Sequence, residues 1–337
     1  MINLMATFLI TCAVTIGSLK FDRANEIKIK TSWKELADTC GIKLPLLKGK
    51  LVHGKANESL ADKINQGDRV DIKLGWIGMN KTYEYDEFKG FVRRVSPNIP
   101  MEIECEDAVY LLRQVNLSKA WRNTTLKEVV NYIVSETNVK FKGKYSIHLS
   151  AKIPDVSFDK FRLDNVNGAE ALDQLKQEFG FVAFFRDMEL YVGLAFIPDA
   201  GTVKFSLAYN VASSDLTYRK AEDTRIRLKA VSILKDNKKI EVEIGPEDGE
   251  QRTQFYYNIT DKVSLKKLAE KDIDKLRFEG YEGSVKSLLV PFVSHSMSAT
   301  ILDPEYEVRN GSYMVDSVET TFGRGIDRTV TLGKKLS

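Results

Sequence analysis

Short runs in which apolar and polar residues alternate, each ended by a turn signal, recur along this 337-residue chain and constrain its fold more than anything else. Glu26-Ile27-Lys28-Ile29-Lys30 alternates strictly, and so does Val70-Asp71-Ile72-Lys73-Leu74 after the turn Ile64-Asn65-Gln66-Gly67-Asp68. Tyr85 to Val95 and Met101 to Cys105 continue the pattern. A side-chain period of two puts one face of each run in a core and the other in water. Several such strands with turns between them point to a barrel or a sandwich, not to βαβ units. One short helix, Trp33 to Asp38, is predicted from the capping-box spacing of Ser32 and Glu35. The apolar run up to Ile16 has no Lys or Arg before Lys20 and is interrupted by Thr11 and Thr15. It lacks the charged start of a leader and falls short of the roughly 20 residues of a membrane span, so it reads as a first strand. A lipoprotein reading would use Cys12, but Thr11 stands where a small residue belongs.

The pattern changes near Asn116. Thr125 and Glu128 form a capping box ahead of the stripe Leu126, Val129, Val130, Ile133, Val134. A second helix starts at Asn167 with Glu170, buries Leu172, Leu175 and Phe179, and stops at Gly180. The runs 181–185 and 188–192 then flank Arg186-Asp187 as a hairpin, and Pro198, Asp199 and Gly201 mark the exit of this small α+β unit. Strands return at Arg225 to Ser232, Lys239 to Ile244 and Phe255 to Ile259. A helix with Leu265, Leu268, Ala269, Ile273 and Leu276 on one face follows, with Gly280 past its end. Gly283 to Val293, a turn at Asp303-Pro304, and strands Gly311 to Thr321 and Arg328 to Leu332 around Gly323-Arg324-Gly325 complete the chain. At about 150 residues per domain the length suits two or three domains. The expected architecture is α+β, mainly β: barrel-like antiparallel domains at 1–115 and 201–337 flank an α+β domain at 116–200. The Gly90-led and Gly311-led strands each follow a polar turn and precede another strand, the trace of a duplication that pattern alone leaves open.

Chemistry is sparse. The 50 Lys and Arg nearly balance the 47 Asp and Glu, for a net charge of +3. That balance argues against a protein whose main work is coating nucleic acid. Cys12, Cys40 and Cys105 are too widely spaced for a metal pair and read as buried thiols of a reducing compartment. His53, His148 and His295 each lack a second ligand at zinc spacing, so no metal site is expected. Glu102, Glu104 and Glu106 share one strand face, with Asp107 next, and read as a solvated ladder, not as two carboxylates set across a cleft. No phosphate-binding glycine loop or nucleophile elbow occurs. Tyr218-Arg219-Lys220 and the segment Phe88 to Arg94 set bases beside aromatics, and both read as strands with a charged outer face. No catalytic residue and no cofactor is expected.

The order of segments nevertheless resembles a known family. Ile27 to Leu36, Ile42-Lys43-Leu44-Pro45, and Ile64 through Gly75 look like the opening of phage tail baseplate hub proteins. Phe88 to Pro97, then Ile103 to Asp107 and Leu111-Leu112, continue the likeness. Arg309 to Val318 with Thr329 to Gly333 is similar to the closing strands of the late control protein D family, which includes contractile-tail hubs and is related to the N-terminal part of type VI secretion spikes. The resemblance covers about the first 115 residues and the last 60 or so, with the middle unit matched in position alone. It implies a homotrimer of two tube domains per chain, six similar units that dock on a sixfold tail tube, with a central spike subunit below and DNA passing without specific binding. It also implies a virion location, assembly in the host cytoplasm and no stable membrane insertion. Phe88, Gly90, Phe91, Gly311 and Tyr313 are the expected tube-domain strand positions, and Glu102 and Glu104 the expected channel lining. The host and tail type stay open. So do three alternatives: a hub of a phage-like protein injection system, a tail-associated cell-wall hydrolase, and an exported lipoprotein.

Overall fold

The computed structural model describes residues 9–45, 63–78, 82–193, 200–220, 225–276 and 279–336. His53, Pro198 and Asp199 lie outside them. The chain is α+β and mainly β, with large antiparallel sheets. Among the described residues no helix is long and apolar enough to cross a membrane.

The alternating runs form strands as their period requires. They are β1 (Leu9–Ile16), β2 (Leu19–Phe21), β3 (Glu26–Ser32), β4 (Thr39–Leu44), β5 (Arg69–Ile77), β6 (Thr82–Ser96) and β7 (Met101–Glu106). They pair in the order β3-β4-β7-β6-β5-β1-β2. The inward residues of all but β2, among them Val14, Ile27, Ile42, Ile72 and Ile103, meet in one core. A sheet whose single face makes its own core must curl, as in a barrel. Cys12 lies within β1 opposite Leu74 and is buried, as are Cys40 and Cys105. The predicted helix at Trp33 to Asp38 does not form; those residues are bends linking β3 to β4. Ser32 Oγ accepts from Lys34 N at 3.1 Å, and Ser32 N donates to Asp38 Oδ1 at 3.0 Å. These local bonds to Ser32 outcompete a one-turn helix, whose nucleation is costly.

The middle of the chain holds α1 (Val109–Leu112), β8 (Asn116–Thr125), α2 (Leu126–Lys140), β9 (His148–Leu149), β10 (Ser157–Asn167), α3 (Gly168–Phe179), β11 (Val182–Arg186) and β12 (Glu189–Gly193). The predicted capping box at Thr125 with Glu128 is present, Asn167 with Glu170 makes a second one at the expected helix start, and Gly180 closes α3 in the left-handed region. The hairpin turn falls one residue later than expected, because Asp187 has φ +56° and Arg186 still pairs with Glu189.

The last part comprises β13 (Thr202–Ser206), β14 (Ser213–Arg219), β15 (Ile226–Ile233), β16 (Lys239–Ile244), β17 (Glu250–Tyr257), α4 (Lys262–Leu276), β18 (Gly280–Ser287), β19 (Ser298–Leu302), β20 (Gly311–Phe322) and β21 (Ile326–Lys335). β15, β16 and β17 make a separate sheet on which α4 packs through Leu265, Ala269 and Ile273. Leu268, expected on that face, is 38% exposed. The expected strand from Gly283 to Val293 ends at Ser287, and the chain then turns through Leu289 at φ +68° before β19.

β20 joins the two ends of the chain. Its first half pairs with β19 and its second half with β3, so one thirteen-stranded sheet runs through both curled modules.

Candidate functional site

The two curled modules repeat one another strand for strand. In the first, β3, β4, β5, β6 and β7 pair as β3-β4-β7-β6-β5; in the second, β14, β18, β19, β20 and β21 pair as β14-β18-β21-β20-β19, all antiparallel. The match extends to single residues. Val92 N donates to Asp68 O and Val92 O accepts from Gly67 N; Val315 N donates to Met297 O and Val315 O accepts from Ser296 N. Gly67 and Ser296 both have positive φ, +85° and +65°. Each ladder slips by one residue just after that valine, at Arg93 and at Asp316. A shared bulge is a specific feature, because an extra residue bends the strand at a fixed place.

This register sets Phe88 against Gly311, Gly90 against Tyr313 and Phe91 against Met314. The glycines that suggested the repeat are thus two positions out of step, with an aromatic ring exchanged between them. A side chain on Gly90 would meet the Phe88 ring at 2.7 Å, whereas one on Gly311 would meet Tyr313 Oη at 3.0 Å. In one module the ring covers a glycine two residues ahead, in the other two residues behind.

The modules meet at a built junction. Strand pairing sets Ser32 opposite Ser317 and Ile27 opposite Phe322. On the outer face Glu319 takes Lys28 at 2.7 Å and Lys30 at 3.6 Å. Asp316 accepts from Trp33 Nε1 at 3.1 Å and binds the Lys34 ammonium. Beneath the sheet, fully buried Arg328 on β21 binds the Glu87 carboxylate of β6 and donates to Pro291 O at 2.7 Å and to Leu289 O. Burial pushes the Glu87 carboxyl up, and Arg328 only partly offsets it.

Glu102 and Glu104 point outward as their alternation requires, but Glu104 binds Arg94 and Glu102 lies beside Asn98. The solvated ladder ends there. Glu106 is buried and holds Arg113 through two oxygens at 2.9–3.1 Å, and buried Asp107 accepts from Val109 N at 2.9 Å. Desolvation and the nearby Asp38 push the Asp107 carboxyl well above the ordinary range.

A cleft of about 380 Å³ opens between the modules, lined by Asp38, Glu87, Asp107, Arg186 and His295. His295 lies 3.7 Å from Asp38 Oδ2 and 3.3 Å from Ser296 Oγ, an order that hints at a hydrolytic triad. The geometry falls short of one. The His–Asp separation exceeds a hydrogen bond, and Ser296 is fully buried and does not line the cleft. Among the described residues no cluster of His, Cys, Asp or Glu could hold a metal ion. His148 is exposed on β9.

No protein-family model and no curated protein matches the sequence. Solved structures do match the fold. A 43 kDa tail protein of prophage MuSo2 from Shewanella oneidensis superposes with a TM-score of 0.60 at 13% identity, over 96% of this chain and 98% of that one. A tail protein from Neisseria meningitidis gives 0.60 at 12%, over 97% of both chains. An E. coli type VI secretion component, described as structurally similar to phage T4 tail proteins, gives 0.56 at 9%, over 96% of this chain and 77% of that one. At such identities the likeness is one of fold, and the fold is that of prophage tail proteins and type VI secretion components.

Proposed function

We propose that this chain is a structural baseplate hub subunit of a phage or prophage tail: three copies form a ring that adapts a threefold spike to a sixfold tail tube. The observation that carries the reading is the five-strand repeat with its shared bulge. Two equivalent modules in each of three chains present six similar docking surfaces, which is what a sixfold ring requires of a threefold partner. The tail tube protein would sit on one side and the central spike subunit on the other, in the virion after assembly in the host cytoplasm. An obligate contact between subunits of this kind buries on the order of 2,000 Å² or more. The outer sheet face with Glu102 and Glu104 is the proposed channel lining. Its carboxylates are interleaved with Lys28, Lys30 and Lys43. A lumen balanced in this way would let DNA slide, because bases already paired gain little from binding phosphates.

The role is that of a scaffold, with neither catalysis nor a cofactor. Light scattering of the purified chain tests it, with a mass of three chains expected; clearing of a peptidoglycan suspension would instead favour the hydrolase. The likeness to a type VI secretion component supports a second reading, the hub of a protein injection system. Particles that incorporate the chain and carry no DNA would decide for it.

A further inference from the structure

The junction inside the chain is a template for a junction between chains. β3 pairs with the distal half of β20. By the repeat, the counterpart of β3 is β14 and the counterpart of distal β20 is distal β6. β14 forms one end of the large sheet, and its outer edge is unpaired among the described residues. β6 is likewise unpaired, among the described residues, beyond Val92 on the side away from β7, where Arg93 and Arg94 are exposed. Two open strand edges on one molecule, of matching type, invite association. They cannot meet each other within one chain, because the whole intervening sheet separates them.

We infer that β14 of one copy pairs antiparallel with the distal end of β6 of the next, in the register of the internal junction. The inference rests on the reading of the chain as a ring-forming subunit and adds the strands that close the ring. Carrying the register across the repeat sets Arg219 opposite Arg94, Tyr218 opposite Val95 and Thr217 opposite Ser96. An aromatic beside a β-branched residue and a Thr beside a Ser are favourable cross-strand pairs. The two arginines arrive neutralised, Arg219 by Glu282 at 2.8 Å and Arg94 by Glu104. Pro97 ends the ladder because it has no N–H to give. The contact between chains therefore spans three residue pairs where the internal junction spans six. Such a contact is head to tail, and repeated around an axis it closes a ring.

A disulfide trap tests this. The double variant Ser96→Cys/Thr217→Cys is oxidised and run without reductant, beside each single variant and the off-register pair Ser96→Cys/Ser213→Cys. The native cysteines are buried. Linked dimers and closed trimers are expected from the first pair alone. As a readout free of mutations, amide exchange of β14 in the natural chain is expected to slow as concentration rises, while exchange in β3 does not change. A trimer by light scattering with no link at 96–217, or with equal linking off register, overturns this junction and leaves the threefold hub standing. A chain that remains monomeric at its solubility limit and yields no link overturns both.

Discussion

The first and last modules use one strand framework and differ where each meets something else. Between the first two repeated strands, β3 and β4, the first module has only the bends at 33–38. At the same place the second inserts β15, β16, β17 and α4, a unit with its own core. The strand flanking the repeat runs antiparallel in the first, β1 on β5, and parallel in the second, β13 on β19. Met101, fully buried in an apolar core, has Arg328 as its counterpart, equally buried but turned toward Glu87 of the other module. Shared register defines the module, and departures from it mark contacts.

Replacing Arg328 by the residue of its counterpart, Arg328→Met, tests that rule with the largest expected effect. Glu87 would be left buried and uncompensated, at a cost of about 3–5 kcal/mol in urea unfolding. The double variant Glu87→Gln/Arg328→Met should recover part of the loss, and the cycle measures the coupling. Next is Gly90→Ala, whose new methyl would lie 2.3 Å from the Glu106 carbonyl. A loss of roughly 1–3 kcal/mol is expected from overpacking. Adding Phe88→Leu should not rescue it, since the backbone contact remains. At Gly333, the counterpart of Glu106, a methyl would lie 2.0 Å from Asp316 Oδ1 and push that carboxylate off Trp33. Gly333→Ala should therefore cost about 1–2 kcal/mol in the natural chain and little in an Asp316→Ser background.

The strands and capped helices were legible because their signals are local. Ile27 and Ile29 alternate within five residues, and Asn167 and Glu170 satisfy each other's backbone within four. What was not legible depends on partners outside the run itself, near or far. Trp33 to Asp38 has the spacing of a helix, yet Ser32 ties it into bends and its Trp33 and Lys34 side chains bind Asp316, far along the chain. Glu106 and Asp107 look like Glu102 and Glu104, and it is the Arg113 guanidinium and the start of α1 that take them inside. β19 gives no signal because Ser298 to Leu302 is short and follows a turn with no glycine. The repeat shows in the correct pair of strands but two residues out of register, because glycine marks a different end of each aromatic–glycine pair.

Asp107 gives the interior of the first module a pH dependence. Burial and Asp38 raise its carboxyl well above the ordinary range. Between its unfolded and folded pKa values the folded chain holds a proton that the unfolded chain has released. This group's contribution is thus fully present below the unfolded pKa and is lost as pH rises through the folded one. Denaturation midpoints across mildly acidic pH should show that slope, and Asp107→Asn should lose it. At low pH that variant would be less stable, since the new amide turns an N–H toward the Asp38 N–H that the carboxylate accepts, and the gap should narrow as pH rises.

The smallest effect belongs to the outer face of the junction. Lys28 and Lys30 flank Glu319, with side chains 44%, 59% and 36% exposed. Ion pairs that open to water contribute about 0–1 kcal/mol and are screened by salt. Glu319→Gln should therefore shift unfolding by less than about 1 kcal/mol, and by less still at high salt. The contrast with Arg328→Met separates two ways of joining the modules. If Glu319→Gln proved as costly as the buried change, the junction would rest on its charged outer face, and the exposed arginines of β6 could not be expected to accept a neighbour's strand on backbone pairing alone.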